Sequence, residues 1–544
     1  MHRGDTTSST RARLALTVRK LVVVIAIPAL LAVAGCGGSS GKTKSGQNAA
    51  GQNSSGGTGT GQQPASRGGT LRFAVNHEPL TLDPQRTTEN GSGWTMYSLF
   101  DQLVEYMPGS PDPKPGLAES WTQSPDGLHY TFKLRDAKFS NGQPVTAADV
   151  KFSLQRFTTS TQCGTSYALP IKAIRVVDPH TIGIDLKAPK PGLLYYLGAS
   201  CASVVPKATL QALGEKKFAK HPVGSGPFML KRWLHGQELD LVRNPNYWQA
   251  GAPYLDGVRF LYIVDDSARI LKLRSGGADI AGPIPFSQID AVDAQNGSQV
   301  QTNPFTGLEE LFFNVTKKPL DEKAVREALS YATPKDAIDK VVFAAKADLA
   351  NSQIPRTKYW DKAVPAYSYD TAKAKALLAK SSVPKGFDLT VLTTKDSAST
   401  QLATILQPAW ARIGVKLHQQ LVDPATLYDR FGKRNYEAVL PPVGDVTADL
   451  PIDDQFVGLW LGTFKDWTGY SDREVTKLGN SALKTVNDGP RRTMFEQVQR
   501  LMMDDAPALP IVFLPSVYGV ADGVRGFTPL IGGWWRLERV SLAR

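Results

Sequence analysis

The sequence predicts a mixed α/β body, exported and held on a short N-terminal tether. Three observations predict it. Strand–helix–strand units recur along the body, which favours α/β layering. A basic and then apolar leader ends in Val33-Ala34-Gly35-Cys36. Residues 37–67 carry almost no apolar side chain.

The leader comes first. Arg11, Arg13, Arg19 and Lys20 precede an apolar run from Leu21 to Ala34. A charged region, an apolar stretch and small residues before a cut make an export signal. At about 14 residues the run falls short of the ~20 that a membrane helix needs. Cys36 directly after Ala-Gly fits the bacterial lipobox, in which the thiol is lipidated and becomes the first residue of the mature chain. An ordinary signal with an incidental Cys is the alternative. Residues 37–67, with runs such as Gly51-Gln52-Asn53-Ser54-Ser55-Gly56-Gly57, have nothing to bury and read as a flexible linker. As a coil it reaches roughly 30 Å.

The body, about residues 68–544, is long enough for two or three lobes. Ser124-Pro125-Asp126-Gly127 is a turn before an alternating strand in which Tyr130, Phe132 and Leu134 share one face. Asn141-Gly142 is a second turn. Thr146 then forms a capping box with Asp149 ahead of a packed helix holding Val150, Leu154 and Phe157. Val258 to Val264 is a β-rich run. Asp266 to Arg274 reads as a helix with Ile270, Leu271 and Leu273 inward, and Ala278 to Ile280 re-enters a strand. Asp321 to Tyr331 and Thr371 to Lys380 are further helices, the latter rich in Ala and Leu.

The formal charge of +12 is concentrated at the N-terminus. The leader holds five Lys/Arg and one Asp, and the linker adds Lys42, Lys44 and Arg67. The rest is spread thinly, with no dense basic block to suggest nucleic-acid binding. If Cys36 is lipidated, Cys163 and Cys201 remain. An oxidising compartment favours a disulfide between them, with two buried thiols as the alternative. There is no C-x-x-C, and the histidines are scattered, so no metal or cofactor is expected. G-x-S-x-G and H-E-x-x-H are absent. Asp453-Asp454 and Asp504-Asp505 are adjacent pairs, expected as solvated faces or helix caps. No catalytic residues are assigned, and the chain is expected not to be an enzyme.

Several blocks then carry a family resemblance. Ala118-Glu119-Ser120-Trp121, Ser124 to Arg135 and Phe139 to Val150 resemble the signature of the family 5 extracellular solute-binding proteins, the oligopeptide, dipeptide and nickel-type receptors of ABC importers. Leu80 to Pro84, Leu99 to Val104, Val223 to Phe228, Arg243-Asn244-Pro245-Asn246-Tyr247-Trp248, Leu273 to Ile280, Phe313-Asn314 and Val325 to Ala332 resemble further family blocks in the same order. Gly224 and Gly226 are expected to allow a tight crossover between lobes.

The resemblance implies a periplasmic-binding-protein type II fold, two lobes joined by a hinge, with an extra subdomain in the first lobe. Ahead of it, the leader and lipobox place the lipoprotein signal at 1–35 and the lipidated Cys with its linker at 36–67; the resemblance divides the rest. Lobe one takes 68–106, 222–314 and 509–544, the extra subdomain 107–221 and lobe two 315–508. It implies a ligand held between lobes that close by hinge motion. In peptide receptors a lobe-two carboxylate grips the ligand's α-amino group, and the matching segment Ala448 to Phe456 points to Asp449. Two departures stand beside it. Val446 and Pro424 occupy positions where oligopeptide binders commonly carry Trp. Glu89, Asn90 and Gly91, and Gly307, Leu308, Glu309 and Glu310, match lobe-one segments that face ligand in relatives.

The implied role is capture of a small solute, with a peptide favoured, for delivery to ABC permease subunits. The chain is expected to be a monomer on the outer side of the cell membrane, held there by lipid. A nickel chelate, an opine or an oligosaccharide is the alternative ligand, and a sensory or structural lipoprotein the alternative role.

Overall fold

The computed structural model describes residues 67–543 apart from 89, 109, 294–296, 304–306, 444–449, 451 and 531–533. Cys36 and the linker therefore lie outside the described residues, as do Glu89, Val446 and Asp449.

Two sheets organise the body. The first has seven strands in the spatial order Ser298–Thr302, Val517–Ala521, Ile280–Gly282, Thr70–Val75, Gly257–Tyr262, Glu238–Arg243 and Phe228–Leu234. Its three central strands are parallel, with Phe73 opposite both Phe260 and Ile280. Such strands are covered on both faces. Leu71, Phe73, Val258 and Trp535 pack in one buried cluster, and Ala74, Ile270, Ala281 and Val292 in another. The helix Asp266–Arg274 joins two of the parallel strands. Its Ile270 and Leu273 are buried, but Leu271 is 61% exposed. One face of a helix turns inward, and position 271 falls off the stripe set by 270 and 273.

The second sheet has six strands in the order Asp348–Leu349, Ala508–Leu514, Gly307–Phe313, Ala438–Val439, Asp388–Thr393 and Lys416–Leu421. The last three are mutually parallel. Helices Lys323–Tyr331, Thr371–Leu378 and Ser397–Ala411 help bury it around Leu329, Leu378, Leu406 and Trp410.

The chain passes between the sheets twice, between Thr302 and Gly307 and between Leu514 and Val517. Asn303 ties the crossings together. Its backbone N–H donates to Ser516 O at 3.2 Å, and its Oδ1 accepts from Ser516 N at 2.6 Å. Gly307–Phe313 and Ala508–Leu514 pair with each other in the second sheet. The first crossing thus precedes the lobe boundary expected at 314 and the second follows the one expected at 508, and Gly307 to Glu310 sit in the second lobe's sheet. Hydrogen bonding along the whole of both strands decides their membership.

A third sheet of four antiparallel strands, Ala118–Gln123, His129–Leu134, Thr181–Leu186 and Ile171–Asp178, packs on the helix Ala147–Thr159. That helix carries the capping box of Thr146 and Asp149. Cys163 and Cys201 are disulfide-bonded, with Cα atoms 5.9 Å apart. Gly224 and Gly226 are not a lobe crossover. A Cβ on either would overlap the backbone at Leu99, so both let the chain pass against the end of the helix Asn90–Leu99.

Candidate functional site

The carboxyl ends of parallel strands are where open α/β sheets place ligands, because helix N-termini and loops converge there. In the second lobe three parallel strands end together, at Thr393, Leu421 and Val439. A cavity of about 630 Å³ lies at this edge. Thr394, Lys395, Leu421, Val422, Pro424 and Pro442 help line it.

Two helices begin at the same edge. Asp396 caps Ser397–Ala411, accepting from Ser399 N at 2.9 Å, and Thr394 Oγ1 donates to its other oxygen at 2.6 Å. Asp423 caps Pro424–Gly432, accepting from Thr426 N at 3.0 Å and from Thr426 Oγ1 at 2.6 Å. These bonds to Thr426 hold the Asp423 carboxyl below its usual range. Pro424 is the first residue of its helix, where its missing N–H costs nothing. The expected residue Pro424 therefore forms part of a cavity wall that also has apolar Leu421, Val422 and Pro442. The rest of that wall was not singled out in the sequence. Its signal is positional: each residue lies at or within three residues of the end of a parallel strand. In the sequence Pro442 is separated by one residue from segment 444–449, which holds Val446 and Asp449.

The other expected residues fall elsewhere. Asn90 and Gly91 begin the helix Asn90–Leu99, which follows the loop from the first sheet's Thr70–Val75. Gly307, Leu308, Glu309 and Glu310 are buried strand positions that are absent from the lining around Pro424. Leu308 packs on Ala350 and Phe513. Glu310 is 1% exposed, neither carboxylate oxygen is hydrogen-bonded among the described residues, and burial beside Glu309 drives its pKa well up.

The lobes also meet along a charged seam. Lys190 of the 107–221 region lies 3.5 Å from Asp454, which is buried in the second lobe and pairs with Arg491. Arg491 also donates to Tyr359 Oη at 3.2 Å and to Ala482 O at 3.1 Å. Nearby, Tyr195 donates to Asp112 at 2.6 Å, and Lys358 bridges Asp112 at 3.2 Å and Asp488 at 3.3 Å. Tyr106, Tyr195 and Tyr196 share one apolar cluster with Ile452, Phe456 and Val457. Asp453 and Asp454 are thus interior rather than solvated. Burial pushes the Asp453 carboxyl up to about 6, although Tyr359 N–H donates to it at 2.8 Å.

Among the described residues no group of three His, Cys, Asp or Glu could hold a metal ion, and no helix is long and apolar enough to cross a membrane.

Comparison with known proteins agrees with this architecture. The profile of the bacterial extracellular solute-binding proteins, family 5 (middle region), matches residues 112–467. An Escherichia coli K12 protein named as a probable D,D-dipeptide-binding periplasmic protein, DdpA, is 31% identical over 447 residues, spanning 79% of this chain and 85% of that one. Among solved structures, the periplasmic binding protein DppA of Helicobacter pylori, in complex with the peptide STSA, superposes with a TM-score of 0.75 at 26% identity, covering 88% of this chain and 99% of its own. AgaA of A. tumefaciens R10, in complex with agropinic acid, gives 0.73 at 27% identity, over 88% and 99%. These neighbours are binding proteins, and they share the two-lobed α/β architecture described above. The chain belongs to the family 5 bacterial extracellular solute-binding proteins.

Proposed function

We propose that this chain captures a short peptide reversibly between its lobes and hands it to the permease of an ABC importer. The observation that carries the reading is the cavity at the carboxyl edge of the second sheet. It is walled by apolar side chains and two capped helix starts, and its Pro442 stands just before the segment that holds Asp449 in the sequence. A pocket of this kind suits a peptide side chain, while the Asp449 carboxylate, on the segment that follows in the sequence, suits its ammonium group. The binding of peptides by relatives of this fold supports the same choice. Capture is non-covalent and the chain is not an enzyme, in keeping with the missing nucleophile and zinc motifs.

Asp449 is the residue to test. Asp449→Asn keeps shape and removes charge. Affinity for the free peptide is expected to fall at least a hundredfold, in line with the roughly 3–5 kcal/mol of a broken buried ion pair. N-acetylation of the peptide should weaken the wild type strongly and the variant little. Equal losses in both would remove Asp449 from the site.

A second reading keeps the transport role with a smaller non-peptide ligand such as an opine. Val446 and Pro424 favour it, because two indole walls commonly found in oligopeptide binders are missing. Binding of an opine with no peptide bound would select it. Under either reading Cys36 anchors the chain by lipid outside the cytoplasm. Cys36→Ser in the native host should release the protein into the medium, and unchanged retention and mass would contradict the anchor.

A further inference from the structure

A second cavity, of about 570 Å³, lies at the opposite edge of the first sheet and belongs to the first lobe alone. It adjoins the edge strand Phe228–Leu234, six strand steps from Ser298–Thr302, where the chain first leaves for the second lobe. At about 4.8 Å per step that is roughly 29 Å.

One wall is an aromatic platform. The rings of Trp233 and His235 lie 4.3 Å apart at 41°. Glu78 fixes both: its Oε1 accepts from Trp233 Nε1 at 2.8 Å and meets His235 Nδ1 at 2.7 Å, and its Oε2 accepts from Gly236 N at 2.7 Å. Beside Leu80, Thr81 and Ala219, the lining holds Lys216, Lys217, Lys220 and His221 from one short segment. The acidic groups close by are already committed. Glu78 holds the platform, and Glu215 pairs with Arg86 and, at 3.6 Å, with Arg156. Among the described residues none of the three lysines has an ion-pair partner. Leu80 stands 76% exposed at the rim.

We propose that this cavity is an anion site for a phosphate ester, drawn from an anionic lipid headgroup or from a soluble phosphorylated solute. Three lysines lining one concavity raise the local concentration of a multiply charged anion. Lysine binds phosphate as a point charge, without the planar fork that a carboxylate matches best. The Trp233–His235 platform and Leu80 offer apolar contact to the organic half of the ester. The site is independent of the ligand held between the lobes.

The test uses the full-length chain in two arms. Calorimetry with glycerol phosphate reads the soluble source. Co-sedimentation with phosphatidylglycerol vesicles, referred to phosphatidylcholine vesicles, reads the headgroup. The triple variant Lys216→Gln, Lys217→Gln, Lys220→Gln should bind the responding probe at least tenfold more weakly with its thermal midpoint unchanged. The triple Lys→Arg variant should bind as the wild type does, and raising salt should weaken both. A response in either arm supports the site and names its source. No response in both arms, or equal binding by the wild type and the Gln variant, overturns it as surface charge without a site.

Discussion

Two edges of the second lobe each carry a pair of aspartates at a helix start, and the pairs behave oppositely. At the cavity edge, Asp396 and Asp423 cap Ser397–Ala411 and Pro424–Gly432 through their carboxylates. At the seam edge, Asp453 and Asp454 begin Asp454–Leu461 but are buried, and Asp453 makes no side-chain cap bond. The first pair is spent on local backbone donors. In the second, Asp454 answers charges brought from far along the chain, Lys190 and Arg491, and Asp453 accepts from the distant Tyr359 N–H. The same residue type before a helix is therefore a local device at the open edge and a tertiary device at the sealed one.

The largest expected effect is at the seam. Asp454→Asn leaves Arg491, 3% exposed, without its buried counter-charge. Removing one partner of a buried pair costs roughly 3–5 kcal/mol. A denaturant melt should show that loss, and a change under 1 kcal/mol would mean that the seam is no tighter than the open edge. Its neighbour sharpens the comparison through pH. The Asp453 carboxyl, pushed up to about 6 by burial, keeps its proton in the folded state above the ordinary carboxylate range. Its contribution to stability is therefore complete below about pH 4 and is lost as pH rises through about 6, a swing of up to about 3 kcal/mol. Asp453→Asn should flatten stability across that window relative to the wild type, and an unchanged slope would assign the dependence elsewhere. The smallest effect belongs to the open edge. Asp423→Ala removes a cap and should cost about 1 kcal/mol with no new pH dependence between 4 and 6. A loss as large as that of Asp454→Asn would erase the distinction.

The contrast also explains what the sequence could reveal. The capping box of Thr146 and Asp149 was legible because both partners sit within one helical turn. The alternating strand at Tyr130 to Leu134 and the mixed α/β class were legible for the same local reason. Asp453 and Asp454, expected as a solvated face or helix cap, are interior because Asp454 meets Lys190 and Arg491 and Asp453 meets the Tyr359 N–H, none of which a window around position 454 contains. Leu271 was taken inward because apolarity alone does not give the angle of a helix face. The wall around Pro424 was half visible. The proline and its Asp cap are adjacent, whereas Thr394, Leu421 and Pro442 converge only because three strands end together. The basic cavity was missed because Trp233 and His235 reach Lys216 to His221 through the fold. Family blocks supplied the architecture, yet they set the sheet crossings several residues off, since pairing rather than block position decides which sheet a strand joins.

The most direct test of solute capture is a native mass spectrum of the protein purified from its source. The account predicts a single non-covalent adduct of peptide mass, released intact by mild denaturation and rebinding at one per chain. A chemically altered product would contradict it. So would a chain that carries no solute and binds none when offered di- to oligopeptides and opines.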